Sequence, residues 1–312
     1  MSFDESQIKM ALRIEKLTEQ RAKALAFSYR ESLDYVNKEL LRLYEKAQTG
    51  KMTYALANQY NRLGKLKLQI IDEIKSMYST NRKEITDIFS EVYEEGYLNS
   101  GYLINKEFLQ RYNAELDYTF SRLNRNVILS AIENPITELR LSPLLEAHRA
   151  SLVNKLNTGI AQGLIQGIGY EKVARNLKDI MQSDFNNNIM RIVRTESHRL
   201  LEKARSDNYE ELVNETGLRI DYKMWISTLD GVTRDAHQAM DGRKVEREKN
   251  FNSPAGGSGP YPGNMNNAAD DINCRCTHII LMNEKQPETR RIGAKTVKFA
   301  TYEEWKSSLP KA

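Results

Sequence analysis

At Leu218 the period of the apolar residues changes, and that change restricts the chain to a long helical part followed by a small sheet. Before it, apolar residues recur every three or four positions, the repeat of one helix face; after it they alternate, the repeat of one strand face. Leu218, Ile220, Tyr222, Met224 and Ile226 share one side of the alternating run, and Arg219, Asp221, Lys223, Trp225 and Ser227 the other. The alternation predicts a half-buried strand, with Cys276 to Met282 as a second strand pairing with it. The fold class expected is therefore α+β, a mostly helical N-terminal region followed by a small α+β domain with a short antiparallel sheet.

The helical part is punctuated by glycine and proline. A first helix over residues 1–48 carries Leu33, Val36, Leu40 and Tyr44 and stops at Gly50. A second runs from Thr53 through Leu63, Ile70 and Met77, a third through Ile85, Phe89 and Val92 to a stop near Gly96, and a fourth from Phe108 to Phe120. Tyrosine recurs at nearly every turn here, which fits bundle packing with hydroxyls at the rim. Pro135 and Pro143 bracket a hinge, because each turns the preceding residue away from helix. Ser142 then caps a helix through Leu152 and Ile160, and Gly159, Gly163, Gly167 and Gly169 offer either a close helix contact or a stop.

In the helix from about Ile189 to Val213, Ile189, Ile192, Val193, Glu196 and Leu200 fall on one face. A carboxylate in the middle of an apolar stripe needs a cation, and Arg234 and Arg275 are the candidates. On the other side Arg191, Arg194, His198 and Arg205 form a basic stripe, either a solvated face or a track for phosphates.

Beyond this helix chemically particular residues crowd together. Arg194-Thr195-Glu196 is followed by Trp225, Asp230, Arg234, His237, Asp241-Gly242, Phe251, Tyr261-Pro262-Gly263 and Asn273-Cys274-Arg275-Cys276. Asp230-Gly231 and Asp241-Gly242 read as turns, Thr233 as the cap of a short helix to Met240, and residues 253–260 as a flexible loop. In its parts and their order the series resembles the phage Mu protein F-like family of minor head, or head morphogenesis, proteins, over roughly residues 186 to 283. The division expected is a helical N-terminal domain (1–134), a helical connector (135–185), a Mu F-like head morphogenesis domain (186–283) and a basic tail (284–312), in which Trp305 anchors a short helix.

The resemblance implies a minor capsid protein without enzymatic activity, associated with the portal vertex and the packaged genome. Its implied partners are the portal protein, other capsid or scaffolding proteins and, non-specifically, double-stranded phage DNA. Its implied place is the capsid interior near the portal, after assembly in the host cytoplasm, with no membrane in the assembled head.

Composition agrees without identifying this role. No apolar run approaches a bilayer span and the N-terminus lacks a signal segment, so a cytoplasmic origin is expected. The net charge of +4 is mild for 312 residues. Between Arg140 and Arg205, however, eleven Lys/Arg stand against six Asp/Glu, a local excess that favours weak DNA binding through Arg191, Arg194 and Arg205.

Two enzymatic chemistries can be weighed on the same residues. Cys274, Cys276, His237 and His278 number the four ligands of a zinc site, but Cys-x-Cys is tighter than the usual spacing. Reduced thiols packed beside Trp225 or Phe251, with no stoichiometric metal and no cofactor, are expected instead. The alternative to a structural protein is a metal-dependent nuclease of the HNH kind, built on His237, Asn273 and His278. A glycine-rich loop between the first two makes one compact unit awkward.

Overall fold

The computed structural model describes residues 2–46, 52–58, 61–114, 116–118, 123–133, 141–282, 288–292 and 295–298. The expected hinge at Pro135 and the terminal helix around Trp305 lie outside these residues. Helices and a few short antiparallel sheets make up the regular structure of the described residues, as the period change predicts.

The helices are α1 (Phe3–Glu45), α2 (Tyr54–Asn58), α3 (Arg62–Tyr112), α4 (Arg125–Glu133), α5 (Leu141–Ile165), α6 (Tyr170–Asp184) and α7 (Met190–Thr216), with α8 (Asp235–Gln238) and α9 (Ala268–Asp271) among the strands. A π-helical turn, Phe185–Ile189, joins α6 to α7. The first turn of the second expected helix is the separate α2; its remainder, the third and the start of the fourth are one helix, α3, of 51 residues. Gly96 does not end it. A Cβ there would lie 3.0 Å from Leu201 Cδ1 and 3.2 Å from Ala204 Cβ, so this glycine serves a close approach of α7. Gly163 does the same for α6, where a Cβ would meet Val173 Cγ2 at 2.6 Å. Gly167, at φ +63°, provides the helix stop.

Contacts divide the chain into two units, with limits inside α1, α3 and α7. One contains residues 21–87 and 139–193, the other residues 1–20, 88–138 and 194–312. In the first, α5 and α6 pack as an antiparallel pair, and a polar cluster is buried nearby. Asp184 Oδ2 accepts from Tyr29 (2.6 Å) and Tyr78 (2.7 Å), whose hydroxyls lie 3.2 Å apart. Burial, with the Asp184 charge, pushes both phenols well above their ordinary value. A folded pKa above the unfolded one contributes stability that is complete below pH ~10 and lost as pH rises past it. Urea denaturation across this range is expected to show stability falling above pH ~10, and Tyr29→Phe to reduce that slope by about 1.4 kcal/mol per pH unit.

The second unit holds the sheet, β2 (Lys244–Glu246), β1 (Tyr222–Ile226) and β5 (Thr277–Leu281) in that order, both pairings antiparallel, with Trp225 opposite His278. The second strand thus falls where the sequence predicts it. The first is not half-buried, because Lys223 and Trp225 on its polar-looking side are also covered, at 6% and 0% exposure. One face packs Met224, Ile226, Ile279 and Leu281 on Ile8 of α1. On the other, Trp225 joins Met240, Phe251, Met265, Cys274 and Cys276. Residues 253–260 are held rather than loose, since β3 (Phe251–Asn252) pairs with β4 (Ser258–Gly259) and Ser253 N donates to Gly257 O at 2.8 Å. The basic stretch at 290–298 contains the hairpin β6 (Thr289–Ile292) and β7 (Lys295–Lys298). Arg290 is fully buried, so it is not part of a solvated basic tail.

Candidate functional site

The motif residues converge in this second unit, and most of them bond to one another. Arg275 pairs with Asp230 at 2.7 Å. Asp230 Oδ1 also accepts from Val232 N (3.1 Å), closing the turn before α8. The helix α8 does not extend back to Asp230. Arg234 donates to the carbonyls of Asp270 (3.1 Å) and Ile272, clamping α9 to the start of α8. Arg234, not Thr233, is the N-cap residue of α8, and Thr233 Oγ1 is turned back to Thr228 O.

Asp241 and Arg290 form a second clamp. The guanidinium is bidentate on the carboxylate, at 2.6 and 2.9 Å, and Ser227 N donates to the same carboxylate at 2.9 Å. Gly242 (φ +72°) and Gly263 (φ +83°) occupy left-handed turns, and Gly263 also lies against α7, where a Cβ would be 3.1 Å from His198 Cδ2. Tyr261, before Pro262-Gly263, stacks on His278 with ring centres 5.9 Å apart.

The upstream Arg194-Thr195-Glu196 meets the motif through Thr195, whose Oγ1 accepts from Asn273 N at 3.0 Å. Asn273 is left-handed, at φ +55°, a conformation asparagine tolerates. Glu196 is not the buried carboxylate expected, nor is it paired with Arg234 or Arg275. It bonds Arg199 on its own helix at 2.7 Å. The fully buried carboxylate of this helix is Glu202, which lies outside the apolar stripe. It bonds Arg205 Nη1 (3.0 Å), Thr277 Oγ1 (2.7 Å), His278 N (3.1 Å) and His278 Nδ1 (2.5 Å). Burial opposes its charge, but Arg205 and then His278 outweigh that and hold the carboxyl well below the usual range. Burial pushes His278 down to about 4, so its ring is neutral at pH 7.

Arg205 is fully buried and His198 is 7% exposed, so the basic stripe on α7 is not continuous. Of the proposed DNA contacts, Arg191 and Arg194 remain exposed, and Arg205 is an internal ion-pair partner.

The two cysteines pack with Trp225 and Phe251, as expected, and they also flank His237. Cys276 Sγ lies 3.4 Å and Cys274 Sγ 3.7 Å from His237 Nδ1. On the far side of the ring, His237 Nε2 lies 3.2 Å from Asp270 Oδ1. Asp270, fully buried, also accepts from Ser253 Oγ (2.6 Å), Gly257 N (3.2 Å) and Asn267 Nδ2 (3.0 Å). Burial pushes Cys274 up, with Cys276 adding to it. Cys276 is drawn down against burial by its bonds to Cys274 and His237, and His237 is raised in turn. The three residues line a cavity of about 520 Å³, with Arg194, His198 and Arg234 also in its wall. His278, the fourth residue counted towards a zinc site, is turned to Glu202. His237 and His278 thus turn to different carboxylates, Asp270 and Glu202.

Comparison with known proteins bears on the whole chain. The family described as Phage Mu protein F like protein matches residues 154–279, starting earlier than the resemblance did and taking in α6. Minor head protein GP7 of Bacillus phage SPP1 is 31% identical over 311 residues, 98% of each chain. The chain belongs to the phage Mu protein F-like family. Within that family's matched segment lie every motif residue from Arg194 to Cys276, together with Glu202 and Asp270, which no local pattern singled out. A second relative, NAD(+)--arginine ADP-ribosyltransferase EFV of Enterococcus faecalis, is 29% identical over 283 residues, 89% of this chain and 55% of that protein. No solved structure matches the chain.

Proposed function

We propose that this chain is a minor head protein acting in head morphogenesis, with residues 186–283 as its head morphogenesis domain. The observation that carries the reading is the end-to-end match to the SPP1 minor head protein, which spans 98% of both chains. The geometry favours a structural role, because the charged motif residues are spent on internal clamps: Asp230 on Arg275, Arg234 on backbone carbonyls, Asp241 on Arg290. We place the protein in the capsid interior near the portal, after assembly in the host cytoplasm, in contact with the portal protein and other capsid or scaffolding proteins. Pull-down of portal protein by the tagged chain from phage-producing cells tests the first partner, and failure to retain portal counts against it.

Contact with packaged double-stranded DNA rests on the exposed Arg191 and Arg194. Each phosphate contact released should flatten the log-log dependence of affinity on salt by about 0.9, so Arg191→Ala with Arg194→Ala should flatten it by about 1.8. An unchanged slope in the folded double variant would assign these arginines to a solvated face. No enzymatic activity is proposed. The relative with an enzymatic name is matched over only 55% of its length. Incubation with labelled NAD(+) and an arginine acceptor is expected to give no transfer.

A further inference from the structure

We propose that Cys274, Cys276 and His237 bind one zinc ion, with Asp270 orienting the imidazole and the fourth coordination position open to the adjoining cavity. This goes beyond the role in the head and does not depend on it. The ligand atoms of the three residues lie within 4.8 Å of one another, all buried. In tetrahedral zinc, with Zn–S about 2.3 Å and Zn–N about 2.0 Å, sulfur and nitrogen ligands lie about 3.5 Å apart. The two sulfur-to-Nδ1 distances, 3.4 and 3.7 Å, bracket that value.

The Cys-x-Cys spacing that argues against zinc in the sequence is suited to it here. Just before β5, both sulfurs reach the same imidazole nitrogen. Asn273, left-handed and bonded to Thr195, and the Arg234 clamp on the carbonyls of Asp270 and Ile272 fix where that stretch begins.

Asp270 supplies the independent observation. A carboxylate accepting from Nε2–H leaves the lone pair on Nδ1, which faces the sulfurs, and this is the arrangement that holds a metal-bound histidine in its tautomer. Asp270 is itself immobilised by Ser253, Gly257 and Asn267. Gly257 is required for that approach, since a Cβ there would fall 2.3 Å from Asp270 Oδ2. Trp225, edge-on to His237 at 5.4 Å, with Phe251, Met240 and Met265, encloses the sulfur side in apolar atoms, where thiolates need a cation. All three ligand residues line the cavity, leaving the fourth position accessible to a solvent molecule or small anion.

The test is metal analysis of the purified full chain after exposure to zinc and dialysis against metal-free buffer. About one zinc per chain is expected, and both thiols should resist alkylation until a chelator is added. Cobalt substitution of the parent chain should give sulfur-to-metal charge-transfer bands, and an added small anion should shift the visible bands. Cys274→Ser and His237→Gln should abolish stoichiometric binding. Asp270→Asn should retain the site with affinity lowered about 10- to 100-fold. Folded parent protein holding under a tenth of an equivalent, without cobalt bands, overturns the proposal. So does Cys276 alkylated at the same rate with and without zinc, the behaviour of a metal-free thiolate activated by His237.

Discussion

Glu202→Ala is expected to destabilise the second unit by about 3–5 kcal/mol, the range for breaking a buried ion pair from one side. Glu202 and Arg205 are both fully buried. Removing the carboxylate leaves without a counter-charge a guanidinium that cannot shed its proton, and takes the acceptor from Thr277 Oγ1, His278 N and His278 Nδ1 together. Arg205 keeps Thr277, Tyr209 and Gln7 as polar neighbours, none of them charged. Glu202→Gln should cost less, since it retains an acceptor, and Glu202→Leu with Arg205→Met should recover most of the loss, because the stranded charge causes it. Urea denaturation of the four proteins reads the order. Equal loss in the single and double variants would locate the effect in packing instead.

Asp241→Ala is expected to cost a similar amount, about 3–5 kcal/mol, and more than Arg290→Met. The asymmetry is chemical. Burial already raises the Asp241 carboxyl above its ordinary value, against the pull of Arg290, so a stranded Asp241 can take up a proton. Arg290 without the carboxylate keeps Ser227 O as an acceptor but cannot become neutral. Because Arg290 lies in β6 and Asp241 follows α8, the variant should also release the β6–β7 hairpin. Limited proteolysis near residues 288–298 should be faster in Asp241→Ala than in the parent. An intact hairpin there would mean that other contacts hold it.

Neither of these ion pairs is legible in the sequence, although the parts around them are. The period change at Leu218 located the sheet, and the ordered motif located the residues that build the second unit. Periodicity failed where burial comes from more than one side. Counting along α7 puts Glu196 in the apolar stripe, yet Glu202, outside it, is that helix's fully buried carboxylate, because β5 covers that face. Arg205 looked like part of a basic face for the same reason. Gly96 read as a stop because a sequence shows a glycine's flexibility and not the neighbour pressed against it. Asp270 stands 33 residues from the histidine it holds, and no local pattern joins them. An acidic pair shortly before Asn-Cys-Arg-Cys was the available signal.

The central claim, that this is a head protein, is tested most directly by mass spectrometry of purified DNA-filled heads from the phage carrying this gene, beside particles from its deletion. The chain is expected in the filled heads at a few copies, and the deletion particles should lack it and be impaired in head formation or infectivity. Heads of normal yield and infectivity that contain none of it, with the protein recovered only from the host cell extract, would contradict the account.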